Sequence, residues 1–220
     1  MIQETWIECS VLLFDLDGVL IDSTVCITRH WRDWALSHRL DLQAILDCAH
    51  GRRTAETMRL VAPFLDVEAE AAEFARHEAA DTDGVAPIEG ALDVLHSLPD
   101  GCWAVVTSGG WKVATARMRS QGLPLPQVMV TAEDVINGKP NPEPYLVAAA
   151  RMGVPPRECV VVEDSPAGIT SAKSAGMCAL AVATTHTADE LSAADAVAPQ
   201  LQNVRVEQVP SGRLRIAVRR

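Results

Sequence analysis

Short apolar runs recur along the chain and alternate with amphipathic stretches. Five runs are apolar at nearly every position, as in strands buried on both faces, and they cover Val11–Phe14, Trp103–Val106, 128–130, 159–162 and 179–183. Stretches with helical periodicity lie between them, over 90–98, 112–121, 144–152 and 166–175. This alternation predicts an α/β fold with a doubly wound parallel sheet and helices on both of its faces.

One long interval interrupts the alternation. Residues 24–86 contain no convincing strand and show only helical periodicity, most clearly over Val67–Ala80. We therefore predict a Rossmann-like core made of residues 1–23 and 87–220, with residues 24–86 inserted as an α-helical cap. The terminal stretch 204–218 alternates around a Pro-Ser-Gly turn, which predicts a hairpin.

Two aspartates, Asp15 and Asp17, follow directly after the first predicted strand. Residues two apart on a strand share a face, and ligands of open α/β sheets bind beyond the carboxyl ends of the strands. The pair could instead cap a following turn. Two carboxylates that face one buried volume are costly, so we expect either a cation between them or a proton on one of them.

Groups suited to phosphate follow the next predicted strands. Thr107, Ser108 and Gly109 combine a hydroxyl with free backbone N–H groups at the start of a helix, which could form an anion seat or simply begin that helix. Lys139 lies in the loop NGKPNPEP, where proline and glycine restrict the backbone. A single loop lysine is usually solvated, so neither feature is decisive alone.

A second acidic pair, Glu163 and Asp164, follows the fourth predicted strand and could also belong to a helix start. Taken together, the four strand ends fit phosphoryl transfer with Mg²⁺, since a carboxylate is repelled by a phosphate dianion unless a cation neutralises both. Asp15, Glu163 and Asp164 would supply oxygen ligands. One carboxylate would attack phosphorus and another would protonate the leaving alcohol, while Lys139 and Thr107 stabilise the phosphoryl oxygens.

Four motifs occur in the order DLDGVLIDS, VVTSG, GKPNPEP and VVVEDSPAGI. In these motifs the chain resembles the haloacid dehalogenase superfamily of phosphatases, and the inserted helices match the small α-helical cap of that superfamily. The resemblance implies that Asp15 is the nucleophile, which forms an aspartyl-phosphate, and that Asp17 is the acid/base. Thr107 and Lys139 match the phosphate-binding hydroxyl and lysine of the superfamily.

The resemblance also implies a Mg²⁺ cofactor. Its ligands would be the Asp15 carboxylate, the backbone carbonyl of Asp17 and the Asp164 carboxylate. Glu163 would bind the ion directly or through water.

Three narrower interpretations remain open at this point. Stretches such as HWRDW, HGRRTAETM and EDSPAGITSAKSAGM are most similar to glycerol-3-phosphate and 2-deoxyglucose-6-phosphate phosphatases and their bacterial sugar-phosphatase relatives. The β-phosphoglucomutase branch shares the four motifs but carries a histidine soon after the first one, whereas residues 21–28 contain none. This favours hydrolysis over a mutase. A sensor that only holds a phosphorylated ligand would not need the full set of catalytic side chains.

The cap would have to choose the substrate, because a core that binds a phosphoryl group cannot select the leaving group. Its most suggestive stretch is His50, Gly51, Arg52 and Arg53, where either arginine could bind substrate hydroxyls or a second anion. Solvated arginines at a helix start are the alternative. Trp31 and Trp34 are expected to pack inside the cap.

Composition and charge limit the classes of binding partner that we expect. A formal net charge of -10 argues against nucleic acid or an anionic membrane surface as partner, which leaves a small phosphorylated metabolite. The six cysteines are scattered without metal or redox spacing. Together with the absence of a signal sequence or an apolar run long enough to span a membrane, they predict a cytoplasmic enzyme. We expect a monomer or a weak homo-oligomer.

Overall fold

The computed structural model describes residues 4–219. Its strands, numbered along the chain, are β1 (Glu4–Cys9), β2 (Val11–Phe14), β3 (Ile21–Asp22), β4 (Ala86–Pro87), β5 (Trp103–Val106), β6 (Met129–Val130), β7 (Cys159–Glu163), β8 (Cys178–Val182), β9 (Ala196–Ala198), β10 (Val204–Gln208) and β11 (Leu214–Arg219). The central sheet has the order β6-β5-β2-β7-β8-β9, and all its neighbouring strands are parallel. The prediction of a doubly wound parallel α/β sheet is confirmed.

Eight α-helices connect the strands within these residues: α1 (Thr24–His38), α2 (Leu42–Ala49), α3 (Thr54–Val61), α4 (Val67–Ala80), α5 (Ala91–Ser97), α6 (Trp111–Ser120), α7 (Glu143–Met152) and α8 (Pro166–Ser174). Short 3₁₀ turns cover Ala132–Asp134, Pro156–Glu158 and Leu201–Asn203. The helix α8 begins as its sequence suggests, because the Ser165 side chain accepts a hydrogen bond from the Gly168 N–H and Pro166 occupies the first turn.

The central strand β2 is buried on both faces, as its apolar sequence predicts. Leu12 and Phe14 pack on one face with residues of α5 and α6. Val11 and Leu13 pack on the opposite face with residues of α7 and α8. Because successive side chains of a strand point to opposite faces, a four-residue apolar strand is enough to anchor both helical layers.

The helices α1 to α4 surround an apolar cluster of their own. It is built around Trp31, Trp34, Met58 and Phe74, and the ring centroids of Trp31 and Phe74 are 4.4 Å apart. The packing role expected for the two tryptophans is confirmed, although Trp31 also reaches the pocket described below. A separate core of this kind is what an inserted helical unit requires.

A two-residue antiparallel pair joins this helical unit to the sheet. Ile21 of β3 lies opposite Pro87 of β4, and Asp22 lies opposite Ala86. The chain leaves the core and returns to it side by side at this pair. We interpret α1 to α4 as the predicted cap, with β3 and β4 as its two connections.

The terminal hairpin is confirmed, but it belongs to a larger sheet than predicted. β10 and β11 pair antiparallel, and β11 also pairs with β1. The prediction missed β1 because its partner lies some two hundred residues away along the chain, beyond the reach of any local pattern. It also missed the three-residue strand β9, which extends the parallel sheet beyond β8.

Candidate active site

A buried lysine lies at the carboxyl edge of the central sheet. The Lys139 ammonium donates hydrogen bonds to Asp15 Oδ1 at 2.9 Å, to the Val106 carbonyl oxygen at 3.0 Å and to Glu163 Oε1 at 2.6 Å. Its side chain is 1% exposed, so the solvated alternative does not apply. The two carboxylates raise the pKa of Lys139 against the effect of burial, which keeps the ammonium charged.

Glu163, at the end of β7, is saturated with hydrogen bonds. Besides Lys139, its Oε1 accepts the Tyr145 hydroxyl at 2.7 Å. Its Oε2 accepts the Asp164 and Ser165 N–H groups and the Ser165 hydroxyl, at 3.1, 3.3 and 3.0 Å. Burial alone would raise the pKa of Glu163, but the Lys139 charge and these bonds lower it, so the group stays ionised.

This saturation bears on the predicted role of Glu163 as a metal ligand. Both of its oxygens already serve other groups, which leaves little capacity for a direct bond to an ion. The position of Gly168 fits this arrangement, since a Cβ there would lie 1.8 Å from Glu163 Oε1. The geometry therefore favours Glu163 as the group that orients Lys139.

Asp17 follows Asp15 and lies at the pocket between the core and the cap. Its Oδ1 accepts hydrogen bonds from the Ser23 hydroxyl and from Arg117 Nη1, the latter at 2.9 Å. Within residues 4–219, Asp17 Oδ2 accepts no hydrogen bond. Asp15 lines the same pocket, so the two carboxylates face the common volume that their spacing predicted.

The expected phosphate seat lines this pocket at the end of β5. Thr107 is buried, and its Oγ1 accepts a hydrogen bond from the Gly109 N–H at 3.0 Å, which leaves the hydroxyl hydrogen free to donate elsewhere. The Ser108 hydroxyl instead donates to the Gly51 carbonyl oxygen at 2.8 Å. Ser108 is therefore a contact between the core and the cap in this structure.

The two arginines of the cap stretch 50–53 lie in different surroundings. His50, Gly51 and Arg52 line the pocket. Arg53 donates instead to the carbonyl oxygens of Val135 and Ile136, at 3.1 and 2.7 Å, and pairs with a neighbouring glutamate. In this structure Arg53 therefore contacts the loop before Lys139 and is not among the residues that line the pocket.

Several residues of the site were not predicted from the sequence. Thr185 donates to Asp164 Oδ2, and it follows β8, so the rule applied to the other strand ends would have found it. Tyr145 was hidden in the first turn of α7. Arg117 and Glu78, joined by a hydrogen bond of 2.8 Å, look in the sequence like ordinary charged residues on helix surfaces.

The acidic cluster fits a divalent cation. Asp15, Glu163 and Asp164 are buried, and their carboxylate oxygens lie within 4.8 Å of one another. Because Glu163 already serves Lys139 and its other donors, Asp15 and Asp164 are the carboxylates of this cluster that would bind an ion. Burial, with the nearby Glu163 charge, raises the pKa of Asp15 to about 7 even though Lys139 opposes the shift, and it raises the pKa of Asp164 well above its ordinary value. Hard oxygen donors with excess negative charge suit Mg²⁺, and Gly18 lets the backbone approach, since a Cβ there would lie 2.0 Å from Asp164 Oδ2.

Comparison with known proteins identifies the family of the chain. A family model described as haloacid dehalogenase-like hydrolase matches residues 9–176. The chain belongs to the haloacid dehalogenase-like hydrolase family. The superfamily and the hydrolase class expected from the four motifs are therefore confirmed.

Relatives in the family include named phosphatases. Hexitol phosphatase A of Escherichia coli (strain K12) is 40% identical over 93% of this chain and 97% of its own length. Glycerol-1-phosphate phosphohydrolase 2 of Saccharomyces cerevisiae is 32% identical over 91% and 86%. These relatives confirm the predicted resemblance to the sugar phosphate phosphatase group and the class of phosphoric monoester hydrolases.

Solved structures share the fold of the chain. A hydrolase from Pseudomonas syringae superposes with a TM-score of 0.77 at 23% identity, covering 88% of this chain and 94% of that one.

None of the helices within residues 4–219 is both long and apolar enough to cross a lipid bilayer.

We predict that Mg²⁺ stabilises the folded protein, because the ion would bind the carboxylate cluster only when the cluster is assembled. At one hundred times its Kd the gain is about 2.7 kcal/mol, which corresponds to a rise in Tm of about 5–10 °C for a chain of this size. Thermal unfolding with Mg²⁺ and with chelator measures the rise. Asp164→Asn should reduce it, whereas the exposed control Asp93→Asn should not; equal rises in both variants would contradict the site.

A pH dependence follows from Asp15. Its folded-state pKa of about 7 lies above its unfolded value of about 4, so the folded chain retains a proton that the unfolded chain releases. The stability of the metal-free protein should therefore decrease as the pH rises from about 4 to about 7. Urea denaturation in chelator at pH 5 and pH 8 measures this, and Asp15→Asn should show a smaller decrease. An identical decrease in both proteins would refute the assignment.

Proposed function

We propose that the chain hydrolyses phosphate monoesters of small sugars or polyols, using Mg²⁺ and an aspartyl-phosphate on Asp15. The observation that carries the proposal is the meeting of Asp15, Asp17, Thr107 and Asp164 at one pocket beneath the cap, with Lys139 bonded to Asp15. These are a nucleophile, a proton donor, a phosphate contact, a metal ligand and a neutralising charge. A ligand-holding sensor would have no use for the first two together.

The substrate class is supported by the pocket and by the relatives. The cap contributes an apolar wall of Ile27, Trp31, Leu46 and Ala49 beside polar groups of Thr24, Thr28, His50 and Arg52. Such a wall can contact the carbon chain of a polyol, while hydroxyl and guanidinium groups hydrogen-bond its oxygens. The relatives named for hexitol and glycerol-1-phosphate act on molecules of this kind.

In the first half of the reaction, a carboxylate oxygen of Asp15 attacks phosphorus and the bond from phosphorus to the ester oxygen breaks. Asp17 donates a proton to that oxygen, so a neutral alcohol leaves. Lys139 offsets the charge of Asp15 at 2.9 Å. When bound, Mg²⁺ would be held by Asp15, Asp164 and the Asp17 carbonyl, and it would neutralise the phosphoryl oxygens.

In the second half, water replaces the alcohol. Asp17, now ionised, accepts a proton from the water whose oxygen attacks phosphorus, and the bond from phosphorus to Asp15 breaks to release inorganic phosphate. The Thr107 hydroxyl is suited to donate to a phosphoryl oxygen, because its Oγ1 accepts the Gly109 N–H while its hydrogen stays uncommitted. The nucleophile is regenerated and the proton balance closes.

The surroundings of the enzyme complete the proposal. All six cysteines are free, which suits a reducing cytoplasm. A small phosphorylated metabolite is the expected partner, and we propose a monomer or weak homo-oligomer.

The central prediction concerns Asp15. The wild-type protein should release phosphate from glycerol and hexitol phosphates only with Mg²⁺, and Asp15→Asn should reduce kcat at least about 1,000-fold because the amide is a poor nucleophile. A phosphate-release assay over a panel of sugar and polyol phosphates measures both. The exposed Asp93→Asn is the matched control.

Three results would contradict this mechanism. Activity retained in Asp15→Asn would exclude an aspartyl-phosphate on Asp15. Activity retained in excess chelator would exclude a requirement for Mg²⁺. An isomerised sugar phosphate that accumulates faster than free phosphate would indicate a phosphosugar mutase.

The two cap arginines should behave differently. Arg52→Ala should raise KM for sugar phosphates about 10-fold with little change in Tm, since an exposed guanidinium that binds substrate contributes about 1.5 kcal/mol. Arg53→Ala should lower Tm, because three hydrogen-bonding groups lose their donor. Steady-state kinetics and thermal unfolding of both variants test this; a KM effect of Arg53→Ala alone would reverse the assignment.

A further inference from the structure

A fully buried arginine lies beside the acid/base candidate. Arg117 is on α6, at 2% exposure. A buried guanidinium is strongly destabilising unless carboxylates neutralise it and accept its hydrogen bonds. The groups that bind Arg117 therefore indicate its role.

Arg117 bridges the core and the cap. Its Nη1 donates to Asp17 Oδ1 at 2.9 Å, and its Nη2 donates to Glu78 Oε1 at 2.8 Å. Glu78 is 7% exposed and belongs to α4, which packs against α6. The Nε of Arg117 has no hydrogen-bond partner within the described part of the chain, so its orientation depends on these two carboxylates.

The bridge determines which oxygen of Asp17 is available for proton transfer. Arg117 and Ser23 both donate to Oδ1, while Oδ2 accepts no hydrogen bond within residues 4–219. A planar guanidinium held at two ends resists rotation, and it constrains the carboxylate to which it is bound. The proton donated to a leaving alcohol would therefore be carried on Oδ2.

We propose that Arg117 is a positioning residue for proton transfer by Asp17, and that Glu78 makes this positioning depend on the contact between cap and core. The inference rests on the proposed function, because it assumes that Asp17 exchanges the proton. Arg117 acts through Asp17 and does not itself carry the proton. Glu78 supplies the second anchor from the cap, so the acid/base is aligned only while α4 rests on α6.

Leaving-group dependence separates positioning from a merely structural ion pair. A sugar alcohol needs a proton when it leaves, whereas p-nitrophenolate does not. Arg117→Met should lower kcat/KM for hexitol phosphate about 100-fold, in the range of lost general acid catalysis, but lower kcat/KM for p-nitrophenyl phosphate much less. Since kcat/KM reports steps up to formation of the aspartyl-phosphate, the later hydrolysis does not affect the comparison.

Glu78→Gln keeps the shape of the cap side chain but removes its charge. It should lower kcat/KM for hexitol phosphate about 10-fold, and lower kcat/KM for p-nitrophenyl phosphate much less. The exposed Arg119→Met, on the same helix, is the matched control and should leave both substrates unaffected. Asp17→Asn should reproduce the selectivity of Arg117→Met. Tm is measured for every variant; if Arg117→Met does not fold, Glu78→Gln decides the outcome.

The inference and the proposed function fail in different ways. Equal losses on both substrates in Arg117→Met, or an unchanged ratio in Glu78→Gln, would overturn the positioning role while the wild type remains an active phosphatase. A wild type that hydrolyses no phosphate monoester would overturn the proposed function, and this inference with it.

Discussion

The hydrogen-bonded ammonium of Lys139 is the interaction on which the rest of the site depends. Its three acceptors are the Val106 carbonyl, Asp15 and Glu163, at the carboxyl ends of the neighbouring strands β5, β2 and β7. A buried cation is stable only when its charge and its donors are fully matched. Lys139 therefore holds the ends of three parallel strands together, and the order of those strands determines which side chains can meet around it.

The site contains more carboxylate than cation, and that imbalance has chemical consequences. Glu163 is stabilised as an anion by Lys139, Tyr145 and backbone N–H groups, whereas burial makes ionisation of Asp15 and Asp164 unfavourable. Ionised Asp15 and Asp164 would therefore need more positive charge nearby than Lys139 supplies. A divalent cation held between these two carboxylates would supply the positive charge that they lack.

The motif residues were predictable because a local rule governs them. A side chain at the carboxyl end of a parallel strand lies at the ligand-binding edge wherever that strand sits in the sheet, which covers Asp15, Asp17, Thr107 and Asp164. Arg117 follows no such rule. Its sequence context is an amphipathic helix, and its burial results from α4 covering that helix, a contact between segments about forty residues apart.

The sequence by itself determined the alternation of strands and helices, the helical insertion and the groups that follow each strand, since periodicity and strand-end position are local properties of the chain. Only the tertiary structure decided that β1 joins the terminal hairpin, that Glu163 supports Lys139, that Arg53 faces the core loop while Arg52 faces the pocket, and that Arg117 bridges Asp17 to the cap. Each of these depends on which distant surfaces come into contact. A charged side chain changes from solvated to buried only when such a contact removes its water and supplies a partner.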